Sequence, residues 1–75
     1  MMRVRTRNSE YEFKFDSEKP DYAMHGTVSK NGQPWSECHM LSFIELDSIM
    51  VMMLGPTADS GIRTTTAVTG IDYIV

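Results

Sequence analysis

Apolar and polar residues alternate along much of this chain with the period of two that belongs to half-buried strands. The pattern is clearest from Met2 to Phe15. A two-residue turn at Asn8-Ser9 sets Arg7 opposite Glu10, Thr6 opposite Tyr11, Arg5 opposite Glu12, Val4 opposite Phe13 and Met2 opposite Phe15. Met2, Val4, Thr6, Tyr11, Phe13 and Phe15 then share one face, which reads as core. The other face carries Arg3, Arg5 and Arg7 against Glu10, Glu12 and Lys14, a charge-balanced solvated surface on which only Arg3 lacks an acidic neighbour.

After a polar loop at Asp16 to Tyr22, which contains Pro20, the dipeptide Asn31-Gly32 marks a second hairpin with a type I′ turn. Counting outward pairs Lys30 with Gln33, Ser29 with Pro34, Val28 with Trp35, Thr27 with Ser36, Gly26 with Glu37, His25 with Cys38 and Met24 with His39. Val28 and Trp35 form the apolar contact nearest this turn, and Pro34 suggests a strand lying at an edge.

The one long apolar stretch, Leu41 to Leu54, supports two readings. As a helix over about 43–54, Ser42 would cap it with Glu45 three residues on, and Gly55-Pro56 would end it. Its apolar residues, however, spread around the helix instead of forming one stripe. As a strand pair, Asp47-Ser48 would turn between Met40 to Leu46 and Ile49 to Leu54. The pair is the more economical reading beside two hairpins with coherent core faces. Ile49 to Leu54 is apolar on both faces, and its second face needs a closed barrel or a partner.

Gly55 to Gly61 reads as a loop, and Ile62 to Val75 as extended chain. Ile62, Thr64, Thr66 and Val68 would lie on one face and Arg63, Thr65, Ala67 and Thr69 on the other, with a bulge or bend at Gly70. The expected architecture is one all-β domain over 1–75, a small bent antiparallel sheet or SH3-like barrel. The alternative is an α+β fold with the helix at about 43–54.

Composition narrows function more than fold. A formal charge of −3 and a sequence pI near 5.1, with acidic residues scattered, argue against nucleic acid as the main partner. A single cysteine, Cys38, removes any internal disulfide framework and makes the reducing cytoplasm the expected compartment. No apolar run reaches the length of a membrane helix, so no membrane association is expected.

Val4, Arg5, Thr6, Asn8, Ser9, Tyr11, Glu12 and Phe13 at the start, with Arg63, Thr64, Thr65, Val68 and Ile71 near the end, resemble short uncharacterised β proteins of phage and actinobacterial genomes. The resemblance covers about a third of the chain. It implies a small β fold and an accessory role, and carries over no catalytic residues.

Candidate chemistry is sparse. His25, Cys38 and His39 are the only soft ligands, and the hairpin register puts His39 on the face opposite the other two, which disfavours a metal site or a Cys-His nucleophile. Ser60, Arg63, Thr64, Thr65 and Thr66 could cradle a small anion, although no phosphate-loop fingerprint is present and a polar loop leading into a Thr-rich strand accounts for them as well. Met50, Met52 and Met53, with Trp35, could form an adaptable apolar interface for a protein partner or for self-association, unless that run is the centre of the core. No catalytic carboxylate pair, nucleophile triad, cofactor fingerprint or metal set is evident. The expectation is therefore a non-enzymatic protein-binding module without a cofactor, phage-encoded and accessory or inhibitory towards a host system. A binder of a nucleotide or nucleic acid through the Arg/Thr-rich strands is the alternative.

Overall fold

The computed structural model describes residues 1–16, 25–55 and 61–73. Six strands, β1 (Met2–Thr6), β2 (Glu10–Phe15), β3 (His25–Lys30), β4 (Ser36–Met40), β5 (Ile49–Leu54) and β6 (Ile62–Tyr73), follow one another around a closed antiparallel barrel. β6 returns to pair with β1, so none of these strands presents a free sheet edge. The fold is all-β, and no helix occurs among the described residues, including 43–54.

The β1–β2 core face is the expected one: Met2, Val4, Thr6, Tyr11 and Phe13 are buried and Phe15 packs against them. The register differs by two. Arg5 faces Glu10, Val4 faces Tyr11, Arg3 faces Glu12 and Met2 faces Phe13. The turn is centred one residue earlier, on Arg7-Asn8, where the Thr6 N–H donates across it to the Ser9 carbonyl at 2.8 Å. A register difference of two leaves every side chain on its own face, so the core face is the same in both.

The second hairpin differs by one, with larger consequences. Asn31 (φ 52) and Gly32 (φ 77) adopt the left-handed conformations of a type I′ turn, and the Gln33 N–H closes it onto the Lys30 carbonyl at 2.9 Å. Beyond the turn, Gln33 to Trp35 are outside the strand, and the ladder resumes with Val28 opposite Ser36, Thr27 opposite Glu37, Gly26 opposite Cys38 and His25 opposite His39. The one-residue slip turns Cys38 into the core and pairs the two histidines outside. Trp35 does not pack on Val28 across the sheet. It is exposed, with the Lys14 ammonium 4.6 Å from its ring centroid.

At Gly26 three strands converge. A Cβ there would lie 1.9 Å from the Lys14 carbonyl oxygen, so only glycine lets β2 and β3 approach this closely.

Ile49 to Leu54 is a strand, as expected, but its partner β4 ends at Met40 and the connection spans 41–48 instead of a two-residue turn. Closing the barrel covers one face of β5: Met50 and Met52 are buried, whereas Ile49 remains exposed.

β6 makes closure possible. Its first half pairs with β5 and its second half with β1, and each ladder shifts register once. In the first shift Val51 faces Thr64 and Ile49 faces Ala67, so Met50 stands opposite both Thr65 and Thr66. The Thr65 hydroxyl accepts the Met50 N–H at 3.0 Å, supplying the acceptor that the bulge takes out of the ladder. In the second, Arg5 faces Gly70 and Thr6 faces Val68, which leaves Thr69 as the extra residue one position before the expected bend. The Thr69 hydroxyl donates to the Arg5 carbonyl at 3.2 Å. Two bulges let one continuous strand, running through Gly70 to Tyr73, serve two neighbours.

The interior is a single cluster in which Phe13, Met40, Met50, Val4, Val68 and Cys38 are the largest fully buried side chains. Phe13 stacks on Tyr11 and Phe15 along the inner face of β2, with ring centroids 6.2 and 5.2 Å away.

Candidate functional site

The barrel has two dissimilar ends. One is formed by the connection 41–48 and the start of β5. Ile44 turns inward against the core, while Leu41, Phe43, Leu46 and Ile49 are 46, 54, 57 and 50% exposed. This connection is held in place by hydrogen bonds. The Leu41 N–H donates to the Val51 carbonyl at 2.8 Å, and the Val51 N–H donates back to the Ser42 hydroxyl at 2.9 Å. Further on, the Asp47 N–H donates to the Val68 carbonyl and the Val68 N–H to the Ser48 carbonyl, both at 2.9 Å, beside a parallel bridge between Leu46 and Val68. Asp47 takes φ 65 at this point, a conformation that a short polar side chain tolerates. The apolar side chains are therefore displayed from a fixed backbone.

The opposite mouth is formed by the β1–β2 and β3–β4 turns, the end of β5 and the start of β6. A cavity of about 350 Å³ opens there, floored by Val28, Met52 and Leu54 and rimmed by Tyr11, Lys30 and Arg63. The ladders explain how two cations come to a barrel mouth. Lys30 stands opposite the buried Tyr11, and Arg63 stands opposite the buried Met52, so both belong to inward-facing rows. Their heads reach solvent only because the rows end at the mouth.

The expected anion cradle is divided by this geometry. Arg63 and Thr64 line the mouth, Thr65 is committed to the β5–β6 bulge, and Thr66 is exposed and absent from the cavity lining. Ser60 lies outside the described residues. Lys30, Tyr11 and Ser36, which sequence reasoning did not group with Arg63, line the same cavity. The hairpin register could have indicated Lys30, since it continues the inward row of Val28.

Of the expected interface set, Met50 and Met52 point into the core, Met53 is half-buried and Trp35 is exposed near Lys14. Leu41, Phe43, Leu46 and Ile49 in the neighbouring stretch 41–49 are exposed, as are Met1, Ile62 and Tyr73 elsewhere.

The arginine stripe also differs from expectation. Arg3 Nε lies 3.0 Å from Glu10 Oε1, an ion-pair distance at which the N–H is not aimed as a hydrogen bond, and Arg5 lies 3.4 Å from Asp72. Among the described residues Arg7, not Arg3, is the member of the stripe without a carboxylate in reach. These exposed pairs solvate the sheet and add little to stability.

Cys38 and the histidines do not form a catalytic pair. Cys38 is fully buried, its thiol sulfur 3.9 Å from the Met40 sulfur, and burial pushes its pKa up to about 11, the reverse of what an activated thiolate needs. His25 sits outside, with Nδ1 2.6 Å from Asp16 Oδ2 and Nε2 2.9 Å from Glu37 Oε1, and the His39 ring lies edge-on with its centroid 6.0 Å away. Ionised carboxylates only accept, so this arrangement favours the protonated ring, in which both nitrogens donate. The hydrogen bond to Asp16, then that to Glu37, raises its pKa above 6.5. Among the described residues no cluster of histidine, cysteine and carboxylate has the arrangement of a metal site.

Fold and surface together define a small closed six-stranded antiparallel barrel with an apolar end and a cationic mouth. No protein family, curated protein or solved structure matches the chain. No helix among the described residues is long and apolar enough to cross a membrane.

Proposed function

We propose that the protein is a small non-enzymatic module that binds another protein through the apolar end of its barrel, in an accessory or inhibitory role. One observation carries this reading: Leu41, Phe43, Leu46 and Ile49, all large and apolar, are each about half exposed within nine consecutive residues. Contiguous exposed apolar surface mismatches water and marks interaction sites. The hydrogen bonds that pin 41–48 to β5 and β6 favour binding further, because a backbone already ordered loses little entropy on association. β-augmentation is a poor alternative for a closed barrel, so recognition through side chains fits better.

The test replaces Leu46 and Ile49, whose exposed side chains leave the core intact. In pull-downs from the native host, the wild type retains a discrete protein partner, and Leu46→Glu with Ile49→Lys abolishes retention while the thermal midpoint stays within a few degrees of wild type. Equal retention by the double variant contradicts the reading. Light scattering on the purified protein distinguishes a second copy as the partner from an unrelated protein.

A further inference from the structure

The cationic mouth lies at the opposite end of the barrel from the proposed docking surface and has its own chemistry. Two of the chain's seven basic residues, Lys30 and Arg63, occupy the last positions of inward-facing rows around one cavity. Among the described residues no carboxylate lines that cavity. In a chain of net charge −3, whose Arg3 and Arg5 are both matched to carboxylates, this local excess of positive charge is out of keeping with the rest of the surface.

The rim is fixed on both sides. The Asn31 N–H donates to the Glu10 carbonyl at 2.8 Å and the Glu10 N–H to the Asn31 side-chain oxygen at 2.9 Å, tying the β3–β4 turn to β2 beside Lys30. The Ser29 hydroxyl donates to the Gln33 carbonyl at 2.6 Å. On the other side the Leu54 N–H donates to the Gly61 carbonyl at 3.0 Å. Gly61 has φ 114, and a Cβ on it would lie 2.6 Å from an Arg63 guanidinium nitrogen, so glycine both permits this backbone and leaves room for the guanidinium over it.

We infer that this mouth binds a small organic anion, an apolar or aromatic body carrying a phosphate or carboxylate headgroup. The body lies against Val28, Met52 and Leu54, and the headgroup sits between Lys30 and Arg63. Each part of the site matches one part of such a molecule: a cavity of about 350 Å³ with an apolar floor takes the body. The ammonium and the forked guanidinium supply charge-assisted hydrogen bonds to the headgroup, with the Ser36 hydroxyl as a neutral partner.

The proposal is tested by titrating the full chain, followed by nuclear magnetic resonance, with adenosine 5′-monophosphate, indole-3-acetate and inorganic phosphate. The expected result is saturable shifts at Val28, Met52 and Leu54 with at least one of the two organic anions, the stronger of them identifying the headgroup. Binding should weaken as salt screens the rim, and weaken roughly tenfold or more in both Lys30→Gln and Arg63→Gln. Absence of saturable shifts with both organic anions at millimolar concentration overturns the proposal. So does inorganic phosphate binding as tightly as either organic anion, which would show a rim that attracts charge without using the cavity. Binding unchanged in both variants also overturns it.

Discussion

At the scale of single residues, His25 is the side chain whose chemistry depends most on its neighbours. Its ring joins Asp16, at the end of β2, to Glu37 on β4, and His39 flanks it across the β3–β4 ladder. Because the folded pKa is raised above 6.5, this contribution to stability is fully present below that value and is lost as pH rises through the folded pKa. Thermal melts of wild type and His25→Gln should differ most below pH 6.5 and converge at higher pH. A difference that grows with pH would contradict the assignment. None of this cluster was legible in the sequence. Asn31-Gly32 located the turn, but the irregular residues Gln33 to Trp35 add one position before the ladder resumes, and that position decides whether His39 or Cys38 stands beside His25. Alternation carries no information about such an insertion.

At the scale of elements, β6 and the connection 41–48 hold what local pattern could not convey. The Thr-rich composition of Ile62 to Val75 indicated extended chain, and Gly70 a bend nearby, but not that a single strand would pair with two neighbours in turn. That depends on which strands close the barrel, a non-local property. The use of Thr65 follows from it, since a hydroxyl at a bulge can replace a ladder acceptor. Thr65→Val retains the β-branched shape and removes that acceptor, leaving the partly buried Met50 N–H without a partner. Denaturant unfolding should show a loss of about 1–3 kcal/mol, whereas Thr66→Val, at an exposed position, should be close to neutral. Equal effects at the two positions would refute the role given to Thr65. The connection 41–48 departs from the expected strand for a different reason. Its apolar residues resemble a buried strand because Ile44 does pack inward, yet Leu41, Phe43 and Leu46 are displayed outside.

At the scale of the whole molecule, the sequence pattern was sufficient for the class. Hairpins with coherent core faces and an apolar central run fit a small closed barrel, which buries Met50 and Met52 without a partner and leaves Ile49 exposed on the outer face. What the pattern could not indicate is polarity from end to end. Closure brings Lys30 and Arg63, 33 positions apart in the chain, to one mouth, and leaves the 41–49 side chains at the other. Docking a partner on the apolar end would leave the cationic mouth open, so the two surfaces can be occupied independently.

The docking surface is tested most directly by placing a photo-cross-linker on it. Cys38 is buried and its pKa is raised to about 11, so a thiol introduced by Leu46→Cys can be labelled selectively with benzophenone maleimide, and Arg7→Cys on the far turn provides the control. Illumination in extracts of the native host should give one discrete adduct from position 46 and none from position 7, with a dimer-sized adduct in the purified protein if the partner is a second copy. No adduct from position 46, or the same adducts from both positions, would contradict the account.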